Sequence, residues 1–229
     1  MANWIPLESN PEVLNKYMSL LGVTSELGFV DVWSLDPELL GMIEQPVGAV
    51  ILLFPITENY EINRQAQNNA IITNGQVVSK DLYFIRQTIG NACGTIGLFH
   101  SLANNVEHLN IGNGSFYEMM ESTKGKTPDE RAEILGQSKN MEEIHHETSL
   151  EGQTNAPAAE EEVNLHFVCF VQKEGMLYEM DGRNPFPINH GTSTDLLLDS
   201  SKIIKKYMDQ STDDLNFTVL AFAKIQNEN

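Results

Sequence analysis

Apolar positions along the chain recur at two different spacings, which predict a mixture of helices and strands. Residues 11–21 carry apolar side chains at helical spacing, with Asn10 placed to cap the helix and Pro11 at its first position. Short runs of branched and aromatic residues predict core strands at 47–55, 164–172, 176–182 and 215–225. Helical spacing recurs at 93–105, 115–123, 127–137 and 198–208.

The alternation of these segments predicts one layered domain. Helices that alternate with strands pack as layers on a sheet, in an α/β or α+β arrangement. The 229 residues are enough for one sizeable core but few for two, so we expect a single domain over residues 1–229. An apolar content of 41% with 20% charged residues is ordinary for a globular chain and argues against a disordered one.

One polar segment interrupts this pattern. Residues 142–163 (EEIHHETSLEGQTNAPAAEEEV) contain hardly any apolar side chain after Leu150, and their sequence indicates neither a helix nor a strand. Segments of 22 residues without secondary structure are uncommon in compact domains, where they form lids over functional sites or disordered connectors. Composition alone leaves both interpretations open.

The charge balance restricts the class of partner. The chain carries 32 acidic and 14 basic side chains, which give a formal net charge of −18. Such a field repels the phosphates of nucleic acids and of anionic membranes, so we expect neither as a partner. It favours the encounter with a cationic partner, although a negative surface also serves solubility alone.

The cysteines and the hydropathy pattern indicate a cytoplasmic protein. Cys93 and Cys169 lie in unlike surroundings and form neither a disulfide framework nor part of a zinc motif. The apolar run at 47–54 is too short to span a membrane, and the N-terminus lacks the features of a secretory signal. We therefore expect a reducing compartment and no metal or other cofactor.

Cys93 is the candidate for a catalytic nucleophile. It follows Gly90 and Asn91 and precedes an apolar helical pattern, which places its sulfur at the N-terminus of a helix. Unpaired backbone N–H groups there favour an anion, so the thiolate should form at a lower pH than in a free cysteine. A buried, inert cysteine is the commoner alternative, and it is our interpretation of Cys169 within the apolar run FVCFV.

A catalytic thiolate needs an imidazole beside it, and His166 is the best candidate. It begins an apolar strand directly after the polar segment, where a sheet edge would meet a cleft. Asp181 ends the following strand, and a hairpin at 173–175 would bring both side chains to the same end of the sheet. The carboxylate would hold the second ring nitrogen, although an Asp before Gly182 also suits a turn.

The remaining histidines receive structural interpretations. His100 lies on the same helical face as the cysteine but two turns away, and we expect it to pack through hydrogen bonds. His190 is expected in a turn. Polar sequence predicts solvent exposure for His108, His145 and His146.

Gln87 completes the candidate site. It lies six residues before Cys93, where its side-chain amide is placed to donate to a developing oxyanion beside the backbone N–H of the cysteine. A polar residue at a strand end is the ordinary alternative. Together with the imidazole and the carboxylate, this order of residues predicts a cysteine hydrolase or acyltransferase.

Five segments closely resemble the ubiquitin C-terminal hydrolases, in particular the short members of that family. In order along the chain they are NWIPLESNPEVLNKY (3–17), QTIGNACGTIGL (87–98), HETSLEGQTNAP (146–157), NLHFV (164–168) and LYEMDGRNPFPINHG (177–191). The resemblance extends from about Trp4 to Ile225 and is weakest across 61–78 and 105–139. Five motifs in the same order are far more specific than any one of them.

The resemblance implies a fold and a set of residue roles. The fold is papain-like, with a central, mostly antiparallel sheet flanked by helices and a knotted backbone, which is rare among proteins. Residues 142–163 correspond to a loop that crosses over the active site. The catalytic roles fall on Cys93 as nucleophile, His166 as general acid and base, Asp181 as its orienting group and Gln87 as oxyanion donor. The positions that face ubiquitin are Pro6, Leu7, Glu8, Glu12 and Asp31.

The resemblance also implies an activity. It is the thiol-dependent release of small adducts or short, unfolded peptides from the C-terminal glycine of ubiquitin or a close ubiquitin-like modifier, through a thioester. Ubiquitin's cationic tail, Leu-Arg-Leu-Arg-Gly-Gly, fits the negative charge of the chain. The alternative is a carrier that binds free ubiquitin with little turnover. Since the chain ends just past the last predicted strand, without the extension of longer relatives, we expect a monomer.

Overall fold

The computed structural model describes residues 3–154, 157, 163–211 and 215–225. The helices within these residues are α1 (Pro11–Leu20), α2 (Pro37–Leu40), α3 (Glu58–Asn74), α4 (Cys93–Ala103), α5 (Ser115–Ser122), α6 (Pro128–Gln137), α7 (Lys139–Ser149) and α8 (Leu196–Gln210). The strands are β1 (Val23–Ser25), β2 (Leu27–Asp31), β3 (Val47–Pro55), β4 (Leu109–Ile111), β5 (Leu165–Lys173), β6 (Met176–Met180), β7 (Ile188–Thr192) and β8 (Thr218–Lys224).

An antiparallel sheet forms the centre of the described structure. Its strands follow the order β2-β8-β3-β5-β6-β7, and each neighbouring pair is antiparallel. Strand β3 lies between β8 and β5 and is buried along most of its length. Because side chains on both faces of β3 are buried, its sequence, VGAVILLFP, is a continuous apolar run rather than an alternating one. Strands β1 and β4 form a separate antiparallel pair.

Helices cover both faces of this sheet. Neighbouring residues of a strand point to opposite faces, so β3 contributes to two separate clusters of buried side chains. Ile51 packs in the cluster that includes α1 and α4, whereas Leu52 and Phe54 pack in the cluster that includes α8 and the start of α3. The layered α+β fold with a mostly antiparallel sheet, predicted from the sequence, is confirmed.

The local signals behind the predicted helices are also present. The Asn10 side chain caps α1 by accepting a hydrogen bond from the backbone N–H of Glu12 at 2.9 Å. Thr127 and Glu130 form a reciprocal capping box at the start of α6. These polar contacts satisfy N–H groups that have no partner within the helix, and they fix where each helix begins.

The prediction that residues 142–163 lack secondary structure is wrong for their first third, because α7 extends to Ser149. Ser138 caps this helix, with its Oγ accepting from the backbone N–H of Met141 at 3.3 Å. The buried positions of α7 keep helical spacing, but most of them are polar, so hydrophobic periodicity does not reveal them. They are Met141, His145, Thr148 and Ser149.

Part of the predicted crossover loop lies outside the described residues, namely 155, 156 and 158–162. The described part begins after α7 and contacts the N-terminal segment of the chain. Both the backbone N–H and the hydroxyl of Thr154 donate to Oε2 of Glu8, at 2.9 and 2.7 Å. Lys16 of α1 forms a salt bridge with Glu151. These contacts hold the start of the loop against the N-terminal segment and α1.

Helix α3 is the largest element that the periodicity does not indicate. Among its 17 residues Tyr60 and Asn68 are buried, and most of the others are polar. No helix in the described part of the chain is both long and apolar enough to cross a membrane.

Candidate active site

Cys93 is the first residue of α4. The chain reaches it through a turn in which Asn91 has a left-handed conformation, with φ of 60°. The residues that follow Cys93 in α4 are all buried, so the helix is fixed in the core up to the thiol. Cys93 itself is a free, partly exposed cysteine. Its sulfur therefore lies where the N–H groups of the first helical turn favour an anion.

His166 lies directly beside this thiol. It occupies the second position of β5, opposite Phe54 of β3, and is 2% exposed. The sulfur of Cys93 and the imidazole of His166 form a hydrogen bond. Nε2 of the ring contacts Oδ1 of Asp181 at 2.7 Å, which leaves Nδ1 for the sulfur. The structure thus brings the predicted nucleophile, imidazole and carboxylate into one hydrogen-bonded chain.

Asp181 follows the last residue of β6 and is fully buried. The antiparallel pairing of β5 and β6 places it diagonally across from His166 on the same face of the sheet. Its Oδ1 accepts from His166 and also from the backbone N–H of Arg183 at 2.8 Å, while its Oδ2 accepts from the hydroxyl of Tyr60 at 2.9 Å. The residue therefore closes a turn and holds the imidazole at once.

The surroundings of these three side chains favour their charged forms. Burial opposes the charge on Cys93, but the bond and charge of His166 and the N–H groups of Phe167 and Gly94 lower its pKa below the ordinary value. Burial also disfavours the imidazolium, yet Asp181 and the thiol raise the pKa of His166 to about 9. The pKa of Asp181 falls to about 2 despite burial, chiefly through the charge and hydrogen bond of His166. Each of these shifts favours the charged form, namely the thiolate, the imidazolium and the carboxylate.

Gln87 lies against the turn that follows Asp181. Its backbone N–H donates to the carbonyl of Gly182 at 2.8 Å. The side-chain Nε2 donates to the carbonyl of Ile89 at 3.1 Å, and the buried Oε1 has no hydrogen-bond partner among the described residues. In this arrangement the amide is used locally, so it would have to exchange the Ile89 carbonyl for an oxyanion.

The predicted ubiquitin-facing residues fall into two groups. Pro6, Leu7 and Glu8 line a cavity of about 190 Å³ together with the described part of the loop and the start of β5. Leu7 is 6% exposed, and its side chain packs against Gly94, so it offers little surface of its own. Glu12 is exposed on α1. Asp31 ends β2 in a half-buried position, where burial raises its pKa.

The cavity at Pro6–Glu8 is closed on one side by the loop. Its remaining lining residues are Ser9, Leu53, Ser149, Gly152, Thr154, Pro157, Val163 and Leu165. Glu8 is half-buried, and its carboxylate is occupied by Thr154 and by the side-chain amide of Asn10 at 3.1 Å. Burial raises the pKa of Glu8, but the hydrogen bonds from these groups outweigh burial, so the pKa is lowered overall. The N-terminal segment and the loop thus form two walls of one narrow groove.

The structure confirms two of the packing interpretations and corrects two others. Cys169 is fully buried, and burial raises the pKa of its thiol to about 12. His100 packs through hydrogen bonds with the N–H of Ile85 and the carbonyl of Met180, both at 3.1 Å. The exposure predicted for His145 is wrong, since it is 1% exposed. The turn predicted for His190 is a strand, where Nε2 contacts Glu179 at 2.8 Å.

His145 is buried because α7 turns it toward α4 and the N-terminal segment. Its Nδ1 contacts the hydroxyl of Thr95 at 2.7 Å, and its Nε2 contacts the carbonyl of Ile5 at the same distance. The Thr95 hydroxyl also contacts that of Tyr17, at 3.0 Å. This buried polar network joins three helices to the residue before Pro6, and the polar sequence around His145 gives no sign of it.

Sequence reasoning also missed Tyr60. Its hydroxyl contact with Asp181 spans 121 positions of the chain, and it comes from a helix that the periodicity does not indicate.

Among the described residues, no group of three or more His, Cys, Asp and Glu side chains is placed to hold a metal. The arrangement as it stands can carry out nucleophilic attack by a thiolate, with proton transfer through the imidazole.

Comparison with known proteins gives one consistent family. The model of the family described as "Ubiquitin carboxyl-terminal hydrolase, family 1" matches residues 4–209. A Dictyostelium discoideum protein named probable ubiquitin carboxyl-terminal hydrolase is 44% identical over 229 residues, which cover 99% of this chain and 90% of that protein. Human ubiquitin carboxyl-terminal hydrolase isozyme L1 is 40% identical over 222 residues, covering 96% of this chain and 97% of that protein.

The fold has a solved counterpart. The crystal structure of the Trichinella spiralis UCH37 catalytic domain, bound to ubiquitin vinyl methyl ester, superposes with a TM-score of 0.76 and covers 98% of this chain and 97% of that one. Sequence identity between the two is 22%, so this comparison concerns the fold alone.

Proposed function

Because the chain belongs to ubiquitin carboxyl-terminal hydrolase family 1, we propose that it hydrolyses the bond after the C-terminal glycine of ubiquitin or of a close ubiquitin-like modifier. The observation that carries this proposal is the hydrogen-bonded chain from Cys93 through His166 to Asp181. These residues supply a nucleophile, an acid and base, and an orienting carboxylate, which is the set that acyl transfer by a thiol requires.

In the acylation step, the Cys93 thiolate attacks the carbonyl carbon of the terminal glycine. The negative charge moves to the carbonyl oxygen, where the N–H groups at the start of α4 and the amide of Gln87 are assigned to stabilise it. Nδ1 of the His166 imidazolium then gives its proton to the leaving amine or thiol. The bond to the leaving group breaks, and the acyl group remains on the sulfur as a thioester.

In the deacylation step, the neutral imidazole of His166 takes a proton from water, and the oxygen attacks the thioester carbon. The carbon–sulfur bond breaks, which releases the modifier as a carboxylic acid and restores the thiolate beside an imidazolium; the acid then loses its proton to water. Asp181 remains ionised throughout, since its pKa of about 2 lies far below neutral pH. Its role is to hold Nε2 and stabilise the imidazolium charge.

Small adducts and short or unfolded peptides are the proposed leaving groups. The loop lies between Ser149 and Leu165. Both residues line the same cavity, so the two ends of the loop lie close together beside the groove. A leaving group that must pass beneath a short closed loop has to be narrow. The cationic tail of ubiquitin is attracted to the net charge of −18.

The contacts with the modifier are assigned to Pro6, Leu7, Glu8, Glu12 and Asp31. In this assignment Leu7 acts by shaping the groove wall beside Gly94 rather than by exposed surface, and the acidic residues supply negative charge toward the tail. The carrier alternative, with little turnover, is not favoured, because the thiol is hydrogen-bonded to the imidazole, and the imidazole is hydrogen-bonded to an ionised carboxylate.

The proposal extends to the setting of the enzyme. We assign residues 1–229 to one catalytic domain, with the loop of residues 150–164, between α7 and β5, crossing over its site. Free cysteines at both positions support a reducing compartment such as the cytoplasm. A net charge of −18 disfavours self-association, which supports a monomer.

Reaction with ubiquitin that carries a C-terminal electrophile tests the function. We expect one covalent adduct, and peptide mass spectrometry should locate it on Cys93. Cys169→Ala is the matched control and should still form the adduct, whereas Cys93→Ala should form none. Hydrolysis of a ubiquitin C-terminal coumarin amide should follow the same pattern. Tight binding without turnover by the wild type would instead support the carrier.

A further inference from the structure

The second oxygen of Asp181 has a partner that the catalytic residues do not supply. Oδ1 is shared by Nε2 of His166 and the N–H of Arg183, whereas Oδ2 accepts a hydrogen bond from the hydroxyl of Tyr60 at 2.9 Å. Asp181 is fully buried, so water does not replace a missing donor there. Tyr60 provides the one hydrogen bond recorded for Oδ2 within the described residues.

Tyr60 is held rigidly in this position. Its backbone N–H donates to the side chain of Thr57, the N-cap of α3, at 3.1 Å, which fixes it in the first helical turn. The side chain is 5% exposed. Its ring meets the ring of Phe54 edge-on, with centroids 4.7 Å apart, and Phe54 is the cross-strand neighbour of His166. The start of α3 and strand β3 thus support the imidazole and its carboxylate from the same side.

The hydroxyl of Tyr60 acts as a donor. Asp181 is ionised and accepts only, so the proton of this hydrogen bond belongs to the phenol. Burial, together with the charges of Asp181 and Glu179, raises the pKa of Tyr60 well above its ordinary value. The phenol therefore keeps its proton at every pH at which the enzyme would work.

We propose that Tyr60 is a positioning residue for the hydrolase reaction, and that its hydroxyl fixes the rotation of the Asp181 carboxylate that presents Oδ1 to Nε2 of His166. This inference rests on the proposed function and adds a residue to it. Tyr60 does not touch the substrate or the sulfur; it acts through the carboxylate on the imidazole, and through the imidazole on the thiolate.

The loss of this hydroxyl has a defined chemical consequence. Without this donor the carboxylate can rotate away from the orientation that presents Oδ1 to Nε2, so it holds the imidazolium less well. The thiolate–imidazolium pair of Cys93 and His166 then exists over a narrower pH range, and that range begins at a higher pH. The titratable and charged groups that interact with Asp181 are His166, Tyr60, Arg183, Arg64, His100 and Tyr207. Cys93 interacts with His166, and Glu179 interacts with Tyr60 and Tyr207.

Tyr207 offers a matched control, because its ring lies beside that of Tyr60 with centroids 5.6 Å apart. Its hydroxyl donates to Oε1 of Glu179 at 2.6 Å, and its ring packs on both Phe54 and Tyr60. Tyr207→Phe therefore removes a half-buried phenol hydroxyl from the same group of rings and leaves the hydrogen bonds of Asp181 in place. Tyr60→Phe keeps the ring and removes only the hydrogen bond to Oδ2.

Two assays over pH 5 to 9 test the proposal. The first is steady-state hydrolysis of ubiquitin C-terminal coumarin amide, and the second is alkylation of Cys93 by iodoacetamide, which needs no ubiquitin. We expect Tyr60→Phe to lower kcat about tenfold, as for the loss of one charged hydrogen bond, with KM within about twofold. Its alkylation profile should shift upward by about half a pH unit or more. Tyr207→Phe should match the wild type in both assays.

The outcomes separate the two proposals. If the wild type cleaves the amide but Tyr60→Phe has an unchanged kcat and alkylation profile, the positioning role is overturned and the function stands. A lower melting temperature without a shifted alkylation profile also overturns it, because a merely structural role would give that result. If the wild type does not cleave the amide, the proposed function fails, while a shifted profile still supports the Tyr60 role and an unshifted one overturns it.

Discussion

The length of the proposed crossover loop predicts a limit on the size of the leaving group. Residues 150–164 connect α7 to β5, and they are fifteen residues rather than the 22 of the polar segment, because α7 takes the rest. Fully extended, they span about 50 Å, which closes into a ring about 16 Å wide. A folded domain of about 100 residues has a gyration radius near 13 Å and is about 33 Å across. It is about twice as wide as the widest opening.

A Gly/Ser insertion of about twenty residues within 158–162 should remove this limit, since about 35 extended residues close into a ring about 38 Å wide. The insertion lies beyond Thr154, so the contact of Thr154 with Glu8 is kept. We expect cleavage of a linear fusion of ubiquitin to a folded domain, followed by gel electrophoresis, to become at least about tenfold faster. Hydrolysis of the coumarin amide, whose leaving group is already narrow, should stay within about twofold.

The control is the same insertion after Gly125, in the exposed turn between α5 and α6. It adds the same length of flexible chain at a distance from the loop and should leave the cleavage rates of both substrates unchanged. Two results would refute the reasoning: a wild-type enzyme that cleaves the folded fusion as fast as the same fusion carrying an unfolded domain, or a lengthened loop that leaves the folded fusion intact.

Substitutions and pH separate the remaining roles. Asp181→Asn should reduce kcat by about a thousandfold or more, with little change in melting temperature, because an amide favours the wrong imidazole tautomer. A large loss of both activity and melting temperature would instead favour a turn role for Asp181. Gln87→Ala should lower kcat about a hundredfold, or about 3 kcal/mol, and a rate within a few-fold of wild type would remove it from the oxyanion site. Burial lowers the pKa of His100 and His145 to about 4. Between pH 6.5 and 4 the unfolded chain therefore binds protons that the folded protein excludes, and each histidine lowers stability by about 2 kcal/mol at pH 5. Urea unfolding of His145→Asn should show a weaker decline with acid than the exposed control His146→Asn, and equal declines would contradict this account.

The nucleophile, imidazole and carboxylate were predictable because each is marked by local sequence. Cys93 stands where small residues give way to an apolar helical pattern, and the structure places it at the first position of α4. His166 and Asp181 lie at the ends of two apolar runs joined by a short hairpin, so antiparallel pairing brings them together. The spacing of apolar residues is enough to locate such positions, since it reports which side chains are buried.

The rest of the site depends on buried polar side chains, which apolar spacing does not report. Helix α7 buries His145 and Thr148. The hydroxyl of Thr95 in α4 contacts the ring of His145, and the hydroxyl of Thr148 donates to the carbonyl of Ile144, one turn earlier in α7. Helix α3 buries Tyr60 over Asp181 and leaves most of its polar length on the surface. The contacts of His145 and Tyr60 join residues far apart in the chain, so only the assembled fold shows that these polar groups are paired.

The catalytic residues and the loop are held by separate contacts. Cys93, His166 and Asp181 form one hydrogen-bonded chain, and both oxygens of the carboxylate are occupied. The loop is held instead against the N-terminal segment, through the hydrogen bond of Thr154 to Glu8. Loop length should decide which conjugates are cleaved, and the Tyr60 contact should decide the pH at which cleavage begins, so an insertion that moved the alkylation profile of Cys93 would show that the two are not separate.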